Sequence, residues 1–483
     1  MRPSDPPGSR RLTDHRLGFQ VGWIVVICAP ILIAGFLVSR RHKNDTPQAA
    51  VTESGTRSSR MASISQTGPS PRRIGPERDA AMPKHTAEQE VVRRVAQFGR
   101  KRRELVRVIA SRSNKEIPLE IERFFDALES GQWEEIKSQW HELAVHSGQY
   151  DYSTNNWEHL NPFWPTVLDA YGVAEQAHNW PAQQLLDYGN AILGTLRPGM
   201  VYVGGTDPGR WIPELLNDTS DGEQHIIVTQ NAFADNRYLD FANTLYNDRM
   251  NTLTTEDSQR AFQEYVTDVQ KRLAHDQQFP DEPKQVRPGE DIHVVDGKVQ
   301  VSGQTAVMAI NERILEMLMQ KNPEMSFAIE ESFPFRGTYA NALPLGPLME
   351  LNASGENNAF TAERAAQSLD YWRNETRQVL SDFDTTASEE ALKSYAHEAV
   401  SAANLLAAHN FNSEAEEAYR LATQLWPASP ETAGDLASLL VASGRENEAR
   451  QLLDEFLKTY PDQKKALERV TTGMKILWTM PKQ

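Results

Sequence analysis

Cysteine is almost absent from this chain of 483 residues, which contains only Cys28. Because Cys28 lies inside an apolar segment, the rest of the chain has no disulfide, no thiolate zinc site and no cysteine nucleophile. The sequence also lacks a phosphate-binding loop, a dinucleotide-binding glycine pattern and a serine-hydrolase elbow. We therefore expect neither a metal ion nor a cofactor.

Positive charge is scarce after the first quarter of the chain. Residues 1–115 carry 22 Lys and Arg against 9 Asp and Glu, and the remainder carries 28 against 57. An acidic body disfavours nonspecific binding of nucleic acid, which needs a clustered positive surface. We therefore predict no nucleic-acid partner. The basic run at 100–103 is interpreted as a solvated helix face, and contact with anionic lipid or nucleic acid is the alternative.

Long apolar runs are missing except at 21–38, a stretch without any charged residue. With residues 17–19 added, it is long enough to span a hydrocarbon core, and no cleavage site precedes the basic residues that follow. It predicts a single-pass transmembrane anchor after a basic tail at 1–20. The Ser- and Pro-rich segment at 45–86 is expected to be a flexible linker. Basic residues on both sides leave the orientation of the anchor open.

Three regions are expected after the linker. Apolar residues at helical spacing predict a helical region at 87–198. From 199 to 355, short β-forming runs alternate with amphipathic helices, which predicts an α/β domain with a mostly parallel sheet. A hairpin is expected around Asp296-Gly297. From 361 to 483 the strands stop, and a second helical region is predicted.

A repeat is visible in this last region, where four positions recur 34 residues later. The pairs are Ala415/Ala449, Tyr419/Leu453, Pro427/Pro461 and Asn410/Gly444. The pattern resembles the tetratricopeptide repeat, whose small residue lets two helices pack closely and whose proline ends the second helix. It predicts two repeats, at 396–429 and 430–463, with a capping helix at 464–479 and a protein partner. A plain helical bundle is the alternative.

The stretch at 200–211 joins an apolar strand to a polar loop. The candidate ligand-binding residues of this loop are Gly204, Gly205, Thr206, Asp207 and Arg210. In open α/β sheets, ligands bind beyond the carboxyl ends of the strands. Paired glycines and an arginine could hold a phosphate or a carboxylate, and Asp207 could bind a sugar hydroxyl. The alternative is that 207–209 is only a turn or the start of a helix.

Two other strand ends carry polar residues. Gln230, Asn231 and Asp235 follow a strand at 225–229, and Glu330 and Glu331 follow a strand at 326–329. Parallel neighbours would bring these residues to the same edge of the sheet. The amides suit uncharged polar ligands, and one of the two carboxylates could serve as acid or base or hold a divalent ion. The alternative for Asn231 and Asp235 is capping of the next helix.

A family resemblance covers residues 199–352. The runs that carry it are VYVGGTDPGR, VTQNAFAD, VVDGKVQV and IEES. They resemble the soluble region of bacterial multi-pass proteins grouped with mannosyltransferase-like enzymes of the C-type glycosyltransferase kind. The resemblance implies a similar α/β fold and an extracytoplasmic position. It assigns no catalytic residue, because catalysis in that family is expected among the membrane helices and their loops.

Together these features predict a membrane-anchored protein of the cell envelope, with an α/β ligand-binding domain and a repeat module for protein–protein interaction. One alternative is an enzyme or accessory factor of envelope glycan assembly that acts on a sugar or phosphate ligand. The other alternative is a non-catalytic scaffold.

Overall fold

The computed structural model describes residues 86–146, 159–286, 290–295, 298–332, 337, 339–351 and 359–471. Within these ranges the chain is mostly helical, with 16 α-helices and two small sheets. The predicted fold class, an α/β domain with flanking helices and a membrane anchor, is therefore wrong. Helices form the bulk of the described structure, and the main sheet is a small element within them.

Five helices precede the first strand in the described residues from 86 onwards. They are α1 (Ala87–Ser113), α2 (Leu119–Ser130), α3 (Trp133–His146), α4 (Trp164–Asn179) and α5 (Ala182–Thr195). Thr86 begins α1 with a capping box, in which its hydroxyl accepts from the Gln89 amide and the Gln89 side chain accepts from the Thr86 amide. Gly131 ends α2 at a positive φ of 69°, which lets α3 turn back beside it.

The main sheet has five short strands. They are β1 (Val201–Gly204), β2 (Ile226–Thr229), β5 (Phe327–Ile329), β6 (Leu343–Leu345) and β7 (Leu348–Leu351), in the order β2-β1-β5-β7-β6. β1 pairs in parallel with β2 and β5, whereas β7 pairs antiparallel with β5 and β6. The sheet is therefore mixed, and the prediction of a mostly parallel sheet is wrong. Only Gly346 and Pro347 separate β6 from β7, and so short a connection permits only antiparallel pairing.

A second, two-stranded antiparallel sheet consists of β3 (Asp291–Val295) and β4 (Lys298–Ser302). The remaining helices of this part are α6 (Pro208–Asp218), α7 (Asn236–Tyr246), α8 (Thr255–Gln278) and α9 (Gln304–Lys321). Helix α7 covers the outer edge of β2 through two tyrosines. The Tyr246 hydroxyl donates to the carbonyl of Ile227 at 3.0 Å, and the Tyr238 hydroxyl accepts from the amide of Thr229 at 2.8 Å.

Both faces of the main sheet are buried, as its apolar strands require. Val201 and Val203 of β1 pack into a core shared with α7, α8 and α9. Tyr202 packs on the opposite face, in a core that also contains side chains from α1 to α5 and from the C-terminal helices. This second core joins all three of the regions expected from the sequence.

The C-terminal helices form a layered array. They are α10 (Ala362–Ser381), α11 (Phe383–Ala387), α12 (Glu389–Ala408), α13 (Asn412–Leu425), α14 (Pro430–Ala442), α15 (Glu446–Thr459) and α16 (Lys464–Thr471). Helices α12 and α13 form the first helix pair and α14 and α15 the second. Asn410 and Gly444 both turn at positive φ, of 65° and 76°, and Ala415 and Ala449 are fully buried. Helix α10 packs on α13, and α16 packs on α14.

The prediction of a single-pass membrane protein is contradicted. Among the helices in the described part of the chain, none has the length and apolar character needed to cross a membrane. The expected anchor at 21–38 lies outside the described residues, as do the basic tail at 1–20, residues 45–85 of the expected linker and residues 472–479 of the expected capping helix.

Candidate functional site

The carboxyl ends of β1, β2 and β5 lie side by side. Gly204 pairs with Thr229, and the amide of Gln230 donates to the Gly204 carbonyl at 2.8 Å. On the other side of β1, the Glu330 amide donates to the Val203 carbonyl at 2.9 Å. The parallel pairing on which a shared edge depends is therefore present, and it places the three polar strand ends next to one another.

Gly205 is the point at which these strand ends meet. Its amide donates to Oε2 of Glu330 at 3.2 Å, and its carbonyl accepts from Nε of Arg210 at 2.7 Å and from Oγ1 of Thr229 at 2.9 Å. A Cβ atom at this position would lie 2.1 Å from Cβ of Ser332. A glycine is required here because no side chain fits between the loop and the end of β5.

Asn231 closes the edge from the side of β2. Its Nδ2 donates to Oγ1 of Thr206 at 3.1 Å and to Oγ of Ser332 at 3.2 Å. Asn231 is 5% exposed, and its Oδ1 atom has no hydrogen-bond partner among the described residues. Oδ1 of Asp207 is buried and unpartnered in the same way. Within the part of the chain that the structure describes, these two acceptors of the edge have no donor.

Helix α6 begins at Pro208, so Asp207 occupies the N-cap position, although its side chain makes no capping hydrogen bond. Pro213 lies inside this helix and has no amide hydrogen to donate to the carbonyl of Gly209. The hydroxyl of Tyr202 donates to that carbonyl instead. The strand therefore supplies the hydrogen bond that the proline removes from the helix.

Arg210 faces the interior of the protein. Its guanidinium forms ion pairs with Asp169 of α4 and Glu214 of α6, and Arg102 of α1 binds the same two carboxyls. Burial raises the pKa of Asp169, but the two arginines outweigh it and hold that pKa below its ordinary value. The pKa of Glu214 is raised well above its ordinary value by burial and by the charge of Asp169. This buried cluster joins α1, α4 and α6.

The basic run at 100–103 is only partly a solvated face. Arg102 is 2% exposed within the buried cluster. Arg103 forms ion pairs with three acids of α2, which are Glu122, Asp126 and Glu129. Both arginines therefore have intramolecular partners.

Asp235 takes a different role from the other candidate residues. Its carboxylate caps α7 by accepting from the amide of Arg237 at 2.9 Å, and it also forms an ion pair with the Arg237 side chain. The bonds of Asp235 are thus made within the first turn of α7. The structure brings the other nine candidate residues together at the sheet edge and its flanks.

The two glutamates after β5 have different neighbours. Glu330 lies against Gly205 and Gly209, and burial raises its pKa well above the ordinary value, as do the charges of Asp207 and Glu398. The Glu331 carboxylate accepts from the hydroxyl of Tyr339. Burial raises the pKa of Glu331 to about 7, against the lowering effect of the Tyr339 hydrogen bond.

Helix α12 covers this edge of the sheet. A ring nitrogen of His397 contacts the carbonyl of Glu331, and Tyr188 of α5 donates a hydrogen bond to Glu398. Burial raises the pKa of Glu398 to about 8, and the charges of Glu375 and Asp207 raise it further, while the Tyr188 hydrogen bond lowers it. Helix α12 therefore covers this edge of the sheet, and the buried carboxyls of Glu330, Glu331 and Glu398 form an acidic layer between the sheet and the helical array.

Sequence reasoning missed the partners that close this layer, among them Tyr188, Tyr339 and Glu398. Glu398 had a usable signal, since it is an isolated acid in a helix of small and apolar residues, from Ala396 to Ala403. An acid on such a helix face is normally paired or protonated.

A cleft opens beside the closed layer, between α10, α12 and the β6–β7 hairpin. The room inside it is about 10 Å³, enough for about one water molecule. Its polar lining includes Glu331, Glu398, Ser368 and Ser401. Its interior is therefore too small for an organic group.

Comparison with known proteins identifies one part of the chain. Residues 405–470 match the family model of the tetratricopeptide repeat. The predicted tetratricopeptide character of this part is thereby confirmed, and it supports a module for protein–protein interaction. No curated protein and no solved structure matches the chain. Nothing in these comparisons supports the resemblance of residues 199–352 to mannosyltransferase-like proteins.

Proposed function

We propose that this protein is an interaction scaffold that binds a protein partner along an exposed face of α14. The observation that carries this proposal is a stripe of residues that one face of α14 presents. This α14 stripe consists of Glu431, Asp435, Ser438 and Ala442, at spacings of four, three and four residues. Its members are exposed or half-buried, whereas Leu436 and Leu440 on the opposite side are buried. The stripe gives a partner a continuous surface on a rigid helix.

The first repeat supports this assignment, because its equivalent face already binds a segment of the protein itself. A shift of 34 residues relates the α14 stripe to an α12 stripe of His397, Ser401, Asn404 and Ala408. His397 contacts the carbonyl of Glu331, and Asn404 forms a hydrogen bond with the Glu331 carboxylate.

The C-cap residue of α12 extends this pattern. A ring nitrogen of His409 lies 2.7 Å from the carbonyl oxygen of Tyr339. The first repeat thus holds neighbouring parts of the chain through a carboxylate and two main-chain carbonyls. We expect the second repeat to hold a partner segment by the same kind of contact.

Charge indicates the kind of partner. Residues 405–470 carry 11 Asp and Glu against 7 Lys and Arg, and Glu431 places an exposed carboxylate on the stripe itself. Complementary charge favours encounter with the matching partner and disfavours like-charged ones. The expected partner segment is therefore basic.

The test compares two variants with the same change in charge. Glu431→Arg with Ser438→Arg alters the α14 stripe, and Gln451→Arg with Glu455→Arg alters the exposed face of α15. Affinity purification with the full chain should recover proteins that the wild type and the α15 variant retain and the stripe variant loses. Binding of each recovered protein is then measured by calorimetry. Capture of the same proteins by all three chains, each shown to be folded by circular dichroism, would contradict the proposal.

A second candidate function is binding of a small hydroxyl-bearing ligand at the sheet edge. The unpartnered Oδ1 atoms of Asp207 and Asn231 favour it, because a buried acceptor without a donor is costly. A hydroxyl from the ligand would satisfy either atom. A thermal-shift screen of polyols should find a compound that stabilises the wild type but not Asn231→Ala. A screen without any such compound removes this candidate.

A further inference from the structure

Strand β3 is the outer strand of the two-stranded sheet. Strand β4 packs on α8 and α9, whereas β3 pairs with β4 and with no other strand in the described part of the chain. Ile292, Val299 and Val301 pack on the core that these helices share with the main sheet. Glu290, just before β3, forms an ion pair with Arg272 of α8. The hairpin is therefore held against the helices, and one edge of β3 faces away from β4.

The pairing register decides which main-chain groups this edge offers. Only two residues separate β3 from β4, and so short a turn closes on a hydrogen-bonded pair, here Val295 and Lys298. Hydrogen-bonded and non-hydrogen-bonded pairs alternate along an antiparallel ladder. Ile292 and Val294 belong to the non-hydrogen-bonded pairs, so their amides and carbonyls point away from β4. The edge thus offers the main-chain donors and acceptors of two residues to another strand.

The side chains along this edge are open to solvent. Val294 is 60% exposed, although it lies on the same face of the strand as the half-buried Ile292. Asp291 and His293 on the opposite face are exposed and form an ion pair. Strand β3 contains neither proline nor lysine, the residues that most often protect an edge. An accessible edge with an exposed valine is where a strand of another chain can pair.

A second copy of the same strand matches this edge. In antiparallel pairing about a twofold axis at His293, Ile292 of one copy lies opposite Val294 of the other, and the two residues with outward main-chain groups bond each other. Directly opposite residues share a face, so each exposed valine is covered by an isoleucine. An axis at Ile292 would instead place Val294 opposite Glu290, whose carboxylate is bound to Arg272. An axis at Val294 would place Ile292 opposite residue 296 of the turn.

We propose that β3 pairs with β3 of a second copy, antiparallel about His293, and so joins two hairpins into one four-stranded sheet. The contact involves a single short strand of each copy, so we expect a weak dimer that forms reversibly as the concentration rises. The proposal goes beyond the interaction function and does not depend on it, because the hairpin and the α14 stripe are separate elements.

Sedimentation equilibrium of the full chain should show this monomer–dimer equilibrium. Val294→Lys should raise the dimer Kd about tenfold or more, because it places a charge in the apolar contact of both copies. Val294→Pro should do the same, since proline removes the outward amide but none of the hydrogen bonds to β4. Gln300→Lys, at an exposed position of β4, makes the same change in charge as Val294→Lys and should dimerise as the wild type does. Circular dichroism checks that each variant is folded.

A cysteine cross-link tests the register. In a Cys28→Ser background, His293→Cys should form a disulfide-linked dimer under mild oxidation. The reason is that opposite residues of a non-hydrogen-bonded pair have Cα atoms about 4.5 Å apart, which a disulfide can bridge. Gln300→Cys is the control, because residue 300 is paired with His293 but lies one strand further from the axis. Its counterpart in the other copy would be about 14 Å away, so it should stay unlinked.

Three results would overturn the proposal. The first is a wild-type chain that stays monomeric at every concentration. The second is self-association that Val294→Lys and Val294→Pro both retain, since the copies would then meet through another surface. The third is equal cross-linking of His293→Cys and Gln300→Cys, which the proposed register does not allow.

Discussion

Replacing Glu398 by glutamine should make the stability of the protein less dependent on pH. The Glu398 carboxyl is 3% exposed, and Tyr188 donates a hydrogen bond to it. Burial raises its pKa from 4.5 to about 8. At neutral pH the buried group is therefore protonated, and unfolding releases its proton to water.

The magnitude follows from the two pKa values. Because the folded pKa lies above the unfolded one, the stability that Glu398 contributes is fully present below pH 4.5 and is lost as the pH rises to about 8. The loss is about 1.4 kcal/mol per pH unit, or about 5 kcal/mol over the whole window. Glu331, whose pKa is about 7, adds a parallel loss between pH 4.5 and 7.

Glutamine isolates the effect, since it keeps the shape of the side chain and an acceptor for Tyr188 but has no proton to lose. Urea unfolding, followed by tryptophan fluorescence from pH 5 to pH 8, measures the free energy of unfolding at each pH. For Glu398→Gln we expect a slope about 1.4 kcal/mol per pH unit shallower than in the wild type. Glu389→Gln, at an exposed position of the same helix, should keep the wild-type slope. Equal slopes for Glu398→Gln and the wild type would refute the burial of a protonated carboxyl.

Two further predictions concern the loop after β1. Gly205→Ala should destabilise the protein by about 1–3 kcal/mol, because the added Cβ lies 2.1 Å from the nearest side-chain atom. Gly194→Ala is the control, since no atom lies within 4 Å of its added Cβ. In the same urea assay this variant should be as stable as the wild type or more stable. Tyr202→Phe should cost about 1–3 kcal/mol because it leaves the Gly209 carbonyl unpaired. That loss should shrink in a Pro213→Ala background, whose restored amide can donate to Gly209, and a double-mutant cycle without coupling between the two positions would contradict this account.

Features that depend on residues close in the sequence could be predicted. The repeats were recognised because a helix crossing needs a small residue, which Ala415 and Ala449 supply, and because the turn between helices needs a left-handed residue, which Asn410 and Gly444 supply. Strands β1, β2 and β5 were expected from short apolar runs that end in polar residues.

Features that depend on distant residues could not be predicted. Arg210 was expected to face a ligand, but its partner Asp169 lies 41 residues earlier and no local pattern reveals that pairing. A strand at 348–352 was expected and corresponds to β7, but its antiparallel pairing was not expected. Strand β6 was missed because proline occupies the middle of its three residues, and proline argues against a strand. The face of α12 that binds Glu331 depends on how the whole helical array packs.

The adjacent glutamates after β5 explain why the sheet and the repeats form one structure. Successive residues of an extended chain point to opposite sides, so Glu330 reaches Gly205 at the sheet edge while Glu331 reaches Asn404 and Tyr339 at the first repeat. One strand end therefore joins the edge of the sheet to the helical array.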